Sequence, residues 1–490
     1  MISINPKKLI LAFLLLSLAA TNTSYAELRT NLSADVVVGQ SDFTTGTSET
    51  AANRQSEPQG CFSDGERLFI SEWTNNRVLI YNSIPTTNNA SADVVIGQAN
   101  FTNSAANDSD GDGVTDSVAA NTMNNPNWVV SDGTRLIVSE YSNNRVLIYN
   151  NIPTTNNASA DVVIGQPDFI SNGSNQGGNP DANTLAGPIC PYYDGTRLFI
   201  CDFNNHRVLI YNSIPTSNNA SADVVIGQPD FTSNGINQGG GANNPAANTL
   251  YTPTSVFTHD NRLFISEWHN HRVLIYNTIP TTNNASADIV IGQANFASGD
   301  DNQGGSVGAN TLNVAFGMCI IGPYLFITDR YNDRILVYNN IPTTNNASAD
   351  IVIGQPDFTN AGPNQGSSIG ANTLDDPINV FTDGRRLFVT DSGNSRILIY
   401  NIDHLSAINL GPQFEQGKAV LGKVFNDINS NGYQDEAEQG IEGVKIASDT
   451  GIYAITDSDG KYHFPYIETG QHLLKVDTST LPEQSTLTTE

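Results

Sequence analysis

Residues 262–277, Arg-Leu-Phe-Ile-Ser-Glu-Trp-His-Asn-His-Arg-Val-Leu-Ile-Tyr-Asn, contain the pattern on which the fold of this chain depends. Two runs of apolar residues flank a four-residue turn, and the turn lies between Glu267 and Arg272. Apolar residues in succession predict strands that are buried on both faces. The acid and the arginine are expected to meet across the hairpin. The stretch therefore predicts a sheet that lies between two neighbouring sheets.

This hairpin recurs six times along the 490 residues, with its arginines 68, 62, 65, 62 and 62 residues apart. They are Arg77, Arg145, Arg207, Arg272, Arg334 and Arg396. A second marker, Ala-Asp followed by Val or Ile and by Gly-Gln, also occurs six times, with its acids at Asp35, Asp93, Asp161, Asp223, Asp288 and Asp350. Each unit then has four short strands, which in the fourth repeat are 254–258, 262–267, 272–277 and 288–293.

We predict an all-β chain whose residues 34–401 form a six-bladed β-propeller. A lone marker strand at 34–40 precedes the first repeat, and the last repeat ends at 401 without such a strand. The first strand is therefore expected to complete the last blade, which closes the ring and leaves no open edge. A solenoid is the structural alternative, although it would need capping units at its ends.

Three of the turns, 72–77, 202–207 and 267–272, resemble the Asp-x-x-Asn-His-Arg signature of NHL repeats, a family of β-propellers. The signature histidine is present only at His206 and His271. Related propellers include zinc-dependent amidating lyases and calcium-dependent lactonases, so the resemblance makes an extracellular lyase or lactonase-type hydrolase the alternative function. No three of the histidines occupy equivalent positions around the predicted ring, so we predict polar turn roles and no catalytic site. The histidines are His206, His259, His269, His271, His404, His463 and His472.

The remaining recurrent residues are predicted to be structural. The six acid–arginine pairs, from Glu72 with Arg77 to Asp391 with Arg396, could form a ring that grips an anion, but their recurrence in every unit favours neutralised pairs that fix the turn. The aromatic residue that follows each Gly-Gln marker is expected to pack between blades. These residues are Phe43, Phe101, Phe169, Phe231, Phe296 and Phe358.

Polar insertions of 17 to 27 residues lie between each marker and the next repeat. They are rich in Asn, Gln, Ser and Gly, contain a recurring Asn-Thr-Leu such as 183–185, and are expected to emerge on one rim. Long polar loops on a rigid scaffold favour recognition of an extracellular protein or glycan. A hydrated collar that only protects the blade edges is the alternative.

A calcium-binding loop is predicted at residues 427–438, where oxygen ligands recur at the spacing that wraps a hard cation. The predicted ligands are Asp427, Asn429, Asn431, Tyr433 through its carbonyl, Asp435 and Glu438. The flanks are predicted strands rather than the helices of an EF-hand. This loop, with 440–444, 456–464 and Leu481-Pro482, resembles the B-type (SdrD B-like) domain of serine-aspartate-repeat surface adhesins. The resemblance implies a calcium-stiffened immunoglobulin-like β-sandwich over residues 418–490, which is expected to be a shortened copy without its last strands.

A second Ca²⁺ loop is predicted in the longest insertion, with candidate ligands Asp108, Asp110, Asp112, Val114 through its carbonyl, and Asp116. Position 12 of this loop is Ala119, so a lower affinity is expected. Closure of the long insertion would be a sufficient structural reason for such a site.

The N-terminus predicts that the protein is secreted. Residues 1–26 have the basic, apolar and small-residue regions of a cleaved signal peptide, and no apolar run is long enough to span a bilayer. The formal charge of −27 excludes a surface that binds nucleic acid and favours a monomer. Residues 402–417 are predicted to form a linker.

Of the four cysteines, Cys190 and Cys201 could form a disulfide, with buried free thiols as the alternative for them and for Cys61 and Cys319.

These features predict a secreted or cell-surface protein that binds an extracellular protein or glycan without catalysis. Rim loops of the propeller would present the ligand-recognition surface, and calcium would stiffen the C-terminal module. A purely structural matrix component is a further alternative.

Overall fold

The computed structural model describes residues 7–13, 28–402, 418–428, 438–448, 453–467, 474–482 and 485–488. They belong to two compact units, one within Tyr25–Ser406 and one within Ala407–Glu490 together with the strand Lys7–Phe13. Both units are built from β-strands, so the predicted all-β class is confirmed. Helical structure among the described residues is limited to short 3-10 turns at Ser174–Gly177, Phe203–Asn205, Ile236–Gly239, Asp301–Gly304, Arg330–Asn332, Pro363–Gly366 and Thr478–Thr480. No described helix is long and apolar enough to cross a membrane.

The larger unit contains six four-stranded antiparallel sheets in its described residues. Sheet 1 comprises Pro58–Ser63, Leu68–Glu72, Arg77–Tyr81 and Val94–Ile96; sheet 2 comprises Pro126–Ser131, Leu136–Glu140, Arg145–Tyr149 and Val162–Ile164; sheet 3 comprises Pro188–Tyr193, Leu198–Asp202, Arg207–Tyr211 and Val224–Ile226. Sheet 4 comprises Pro253–His259, Arg262–Glu267, Arg272–Tyr276 and Ile289–Ile291; sheet 5 comprises Ala315–Ile321, Tyr324–Asp329, Arg334–Tyr338 and Ile351–Ile353. We call these the first to fourth strands of each sheet.

Sheet 6 takes its fourth strand from the start of the unit. Its first three strands are Pro377–Thr382, Arg386–Asp391 and Arg396–Asn401, and Val36–Val38 pairs antiparallel with the last of these, Val37 opposite Leu398. This is the pairing that the order of the two sequence markers predicts.

The sheets pack face to face because their middle strands are apolar on both faces. Leu263, Phe264 and Ile265 on the second strand of sheet 4, for example, are all fully buried. The first strand of each sheet contacts the first strand of the next, and that of sheet 6 contacts that of sheet 1. The first strands approach closely, since a Cβ on Gly60 would lie 2.9 Å from the Cα of Trp128. The contacts between first strands therefore run from sheet 1 through sheet 6 and back to sheet 1.

The smaller unit has two sheets that share one apolar core. One sheet orders its strands as Lys461–Ile467, Lys418–Asp427, Lys7–Phe13 and Ser485–Thr488, and the other as Tyr453–Ile455, Lys445–Ser448 and Leu474–Val476. The core consists of Val424, Val444, Ile446, Tyr462 and Val476. Cleavage of the predicted leader, 1–26, would remove Lys7–Phe13 from its sheet; that cleavage stays a prediction.

The predicted linker 402–417 lies outside the described residues except for its first residue. Ile402 is fully buried in the core of sheet 6, and its N–H donates to the carbonyl of Arg385 at 2.8 Å. Ile402 therefore belongs to the larger unit and not to a linker.

Candidate functional site

The acid–arginine pairs are buried structural elements, as predicted. In sheet 4, Arg272 is fully buried and its Nε donates to Glu267 at 2.5 Å. Its Nη1 donates to the carbonyl of Phe296 at 2.8 Å, and its Nη2 donates to the carbonyls of Ala246 and Thr249, both at 3.0 Å. Equivalent bonds recur in the other five sheets. Because the pairs are buried and each guanidinium is bonded on all three nitrogens, they offer no surface to an anionic ligand.

Asparagine pairs tie the polar insertions to the turns between the second and third strands. Asn237 in the insertion and Asn270 in the turn exchange hydrogen bonds of 2.9 and 3.3 Å, and both are buried. Gln176 donates to the carbonyl of Asn183 and to the side chain of Asn219 at 3.0 and 2.7 Å. The recurring amides of the insertions therefore hold the scaffold together. The prediction that the rim loops present the ligand-recognition surface stays a prediction, and the amides named here make their hydrogen bonds within the chain.

In the first five repeats, the residue before the arginine links neighbouring sheets. The side chains of Asn76 and Asn144 accept the N–H of Asn125 and of Gly187, each at 2.8 Å. His206 and His271 do the same through Nδ1, accepting from Thr252 and Val314 at 3.2 and 3.1 Å. These histidines thus have the structural turn role that the sequence predicts. Burial lowers the pKa of His206 to about 4, so its ring is neutral at pH 7.

Asp333 fills the same position in sheet 5 and accepts the N–H of Asp376 at 2.8 Å. Burial raises the pKa of Asp333 to about 7, and the nearby carboxylates of Asp375, Asp376 and Asp391 add to the rise. A carboxyl group here is therefore protonated over much of the acidic range in which an exposed aspartate is ionised.

The residues that directly follow the acids of the acid–arginine pairs line a cavity that the sequence reasoning missed. Four consecutive repeats carry an aromatic ring there: Trp73, Tyr141, Phe203 and Trp268, with centroid separations of 5.2, 6.1 and 6.0 Å along the series. All four rings are half-buried. They line a cavity of about 530 Å³ together with Glu57, Gln59, Asn127, Ile189, His269, Phe316, Arg330, Asp376, Ser392 and Gly393. We call this cavity the aromatic pocket.

The fifth and sixth repeats place polar residues at the same position, Arg330 and Ser392. The guanidinium of Arg330 pairs with both carboxylate oxygens of Asp376, with Nη2 to Oδ2 at 2.6 Å. It also lies over the Trp268 ring, 4.8 Å from the centroid, and near Phe316 at 5.6 Å. The aromatic pocket therefore has an aromatic half from repeats one to four and a polar half that begins with the Arg330–Asp376 pair.

Asn127 is the most informative polar residue of the pocket. It follows the proline that starts the first strand of sheet 2 and is 4% exposed. Its side-chain oxygen is buried and makes no hydrogen bond within the described structure. Gln59, at the corresponding position of sheet 1, makes only long bonds of 3.4 Å to Glu57 and Ser392. An unpaired buried amide is costly unless a ligand or water completes it.

The four cysteines are all free and buried in the structure. Cys190 and Cys201 lie on the paired first and second strands of sheet 3, where Ile189 is opposite Cys201 and a register shift follows at Cys190. Burial raises the pKa of the Cys201 thiol well above its ordinary value, and the neighbouring Cys190 raises it further. The buried-thiol alternative thus describes this structure, and the disulfide is not formed in it.

The acidic loop of the longest insertion gathers three of its predicted ligands. Asp108, Asp110 and Asp116 have carboxylate oxygens within 4.8 Å of one another, the one such group of three or more His, Cys, Asp or Glu residues in the described chain. Roughly 2.4 Å from each oxygen suits Ca²⁺, so one ion can bridge the group. Asp112 is not in the group and accepts the N–H of Val114 instead, and the Val114 side chain is 61% exposed.

Of the calcium loop predicted at residues 427–438, the described residues include only the first and last of the named ligands. Asp427 and Glu438 are 2% and 5% exposed. Glu438 accepts the N–H of Ile428 at 2.7 Å, which brings the two ends of the loop together. The predicted ligands Asn429, Asn431, Tyr433 and Asp435 lie outside the described residues.

Comparison with known proteins finds a family match in the C-terminal part of the chain. Residues 419–490 match the SdrD B-like domain, in agreement with the resemblance of the sequence. The serine-aspartate repeat-containing protein F of Staphylococcus epidermidis is 34% identical over 104 residues, which are 20% of this chain and 6% of that protein. The chain therefore spans only a small part of the length of the relative that it matches.

Solved structures of low identity cover most of the chain. The virginiamycin B lyase of Staphylococcus aureus is 13% identical and covers 72% of this chain and 98% of its own, at a TM-score of 0.35. BamB from Moraxella catarrhalis is 12% identical, covers 77% and 99%, and has a TM-score of 0.35. Likenesses of this strength carry no argument about the activity of this chain, and the assignment of its repeats to the NHL family stays a prediction.

Proposed function

We propose that this chain is a secreted or cell-surface protein that binds an extracellular ligand in the aromatic pocket without chemical conversion. The observation that supports this most is the set of half-buried rings Trp73, Tyr141, Phe203 and Trp268 around one concave cavity. A volume of about 530 Å³ lies in the range typical of small-molecule sites. Exposed aromatic surface in a concavity is costly for a protein that binds nothing there.

The proposal includes a six-bladed β-propeller as the carrier of the pocket. The cyclic contacts of the first strands and the pairing of Val36–Val38 with Arg396–Asn401 support six blades closed by the N-terminal strand. In a ring of blades, equivalent turns converge on the axis, which brings together residues that are 62 to 68 positions apart in the sequence. The polar insertions then act mainly as a collar that fixes these turns.

The C-terminal module supports a location at the cell surface. The match of residues 419–490 to the SdrD B-like domain, and the adhesin-type name of the relative, are the basis for this part of the proposal. We propose that Ca²⁺ stiffens this module through Asp427 and Glu438 and the long insertion through Asp108, Asp110 and Asp116. Oxygen ligands that converge in a tight loop favour Ca²⁺ over softer ions.

The binding proposal is tested by comparing the wild type with Trp73→Ser. Ser392 occupies the corresponding position of the sixth repeat, so this turn accommodates a serine. Both proteins, and an Ile170→Ala control on the exposed surface of an insertion, are immobilised and exposed to soluble extracellular polysaccharide and protein fractions. We expect a fraction that the wild type and the control retain and Trp73→Ser releases. Retention by all three proteins alike would contradict binding in the pocket.

A further inference from the structure

The two halves of the aromatic pocket differ in chemistry in a way that restricts the ligand. Rings at Trp73, Tyr141, Phe203 and Trp268 line the pocket together with planar polar groups from Gln59, Asn127 and the Arg330–Asp376 pair. A pyranose ring has one face of C–H groups, which stacks on aromatic rings, and an edge of hydroxyl groups, which pairs with amides, carboxylates and guanidinium. A peptide backbone or an aliphatic chain does not present both surfaces on one rigid ring.

The unpaired amide oxygen of Asn127 is the second observation. It is buried in the lining of the pocket, where no donor of the described chain reaches it. A hydroxyl group is a suitable partner because it can donate to this oxygen and accept from a neighbouring N–H. The weak 3.4 Å bonds of Gln59 leave a second amide available nearby.

Both charged classes of ligand are disfavoured by groups already in the pocket. The Arg330 guanidinium lies on the Trp268 face, which is where a ligand cation would bind. Asp376 occupies two of the guanidinium nitrogens, so the positive charge is neutralised before an anionic ligand arrives. Glu57 adds a negative charge at the mouth, and the chain as a whole carries −27, which repels acidic sugars.

The turns that carry the rings are fixed by internal hydrogen bonds. Each ring sits on a turn between a buried acid and a buried Asn, as Trp268 does between Glu267 and Asn270. The backbone is therefore ordered before the ligand arrives, which lowers the entropic cost of binding a rigid ring.

We propose that the aromatic pocket binds a neutral glycan, with one pyranose face on the aromatic half and its hydroxyl groups on Asn127 and the polar half. This inference rests on the proposed binding function and specifies its ligand class.

The experiment uses the full chain and its own tryptophan fluorescence. Two of the three tryptophans, Trp73 and Trp268, line the pocket, and the third, Trp128, follows Asn127 and stacks on the lining residue Phe316 at 6.4 Å. The probes are neutral oligomers of β-1,4-linked glucose, mannose and N-acetylglucosamine, with oligogalacturonate as the acidic comparison and short peptides as the other class. We expect a saturable change with at least one neutral oligomer and none with oligogalacturonate.

Asn127→Ile is the deciding variant, because Ile189 and Ile378 occupy the corresponding positions of sheets 3 and 6. We expect it to weaken the active oligomer about tenfold or more with an unchanged urea midpoint, while Ile170→Ala binds as the wild type does. Equal affinity of Asn127→Ile and the wild type would overturn the placement of the glycan. If peptides bind and no neutral oligomer does, the glycan assignment is wrong and the binding function stands. If neither class changes the fluorescence, both proposals fail.

Discussion

Replacing one buried arginine should cost far more stability than replacing an exposed one. The substitution is Arg272→Met, which keeps the apolar stem of a fully buried side chain and removes the guanidinium. Four hydrogen bonds are lost, one to Glu267 and three to the carbonyls of Phe296, Ala246 and Thr249. We expect the larger unit to lose a substantial part of its free energy of unfolding.

The magnitude follows from what remains buried. Glu267 keeps two donors, the N–H of Tyr251 and the amide of Asn270, each at 2.7 Å, but has no counter-charge. Leaving one partner of a buried ion pair without the other typically costs about 3–5 kcal/mol. Water that enters the vacated space can replace part of the hydrogen bonds that the three carbonyls lose. We therefore expect about 5 kcal/mol, against a total stability on the order of 5–15 kcal/mol for a folded domain.

Urea denaturation followed by tryptophan fluorescence measures this loss, since all three tryptophans belong to the larger unit. The control is Arg135→Met, whose side chain is 30% exposed and pairs with Asp132 at 2.7 Å; it should cost at most about 1 kcal/mol. Adding Glu267→Gln to Arg272→Met should recover part of the loss, because the uncompensated charge is removed. Equal midpoints for Arg272→Met and Arg135→Met would refute the structural role of the pairs.

Three further predictions concern calcium, protons and thiols. Ca²⁺ at about 100 times its dissociation constant should stabilise the wild type by about 2.7 kcal/mol in thermal melts, and Asp116→Asn should reduce that gain. A melting curve that does not depend on Ca²⁺ would contradict the proposed sites. Because the pKa of Asp333 is raised to about 7, the stability that its protonated carboxyl group contributes is complete below pH about 4 and is lost as the pH rises to 7. Asp333→Asn should therefore raise the urea midpoint at pH 8 more than at pH 4.5. An equal change of the midpoint at both pH values would contradict the raised pKa. Ellman's reagent should detect no thiol in the native chain and four after unfolding, and a count of two after unfolding would show that Cys190 and Cys201 had formed a disulfide.

The features that lie within one repeat could be predicted from the sequence. The alternation of turns and apolar runs around Glu267 and Arg272 predicts the strands, the hairpin and the ion pair, since all depend on residues close in the chain. The order of the markers predicts the pairing of Val36–Val38 with the last sheet. The Asn237–Asn270 pair was missed because a polar loop gives no sign of which amides are satisfied internally.

The pocket was missed for a different reason. Its aromatic residues are 62 to 68 positions apart, and they meet only when equivalent turns are brought to one end of the sheets. The available signal was the contrast within each turn between the constant acid and the residue that follows it, which is Trp, Tyr, Phe, Trp, Arg and Ser in the six repeats. Sequence periodicity locates equivalent positions but does not indicate which set faces a cavity.

That contrast leads to a last prediction, which concerns the residues of one turn that stabilise the fold. If the acid, the asparagine and the arginine stabilise the fold, the residue after the acid can vary at little cost in free energy of unfolding. Trp73→Ser should then lower the free energy of unfolding by no more than about 1–2 kcal/mol, since Trp73 is only half-buried and Ser392 shows that the turn tolerates serine. Urea midpoints of Trp73→Ser and Arg77→Met, four residues apart, give the comparison. A loss as large as that of Arg77→Met would mean that the aromatic rings hold the sheets together, and the reason for assigning them to ligand binding would disappear.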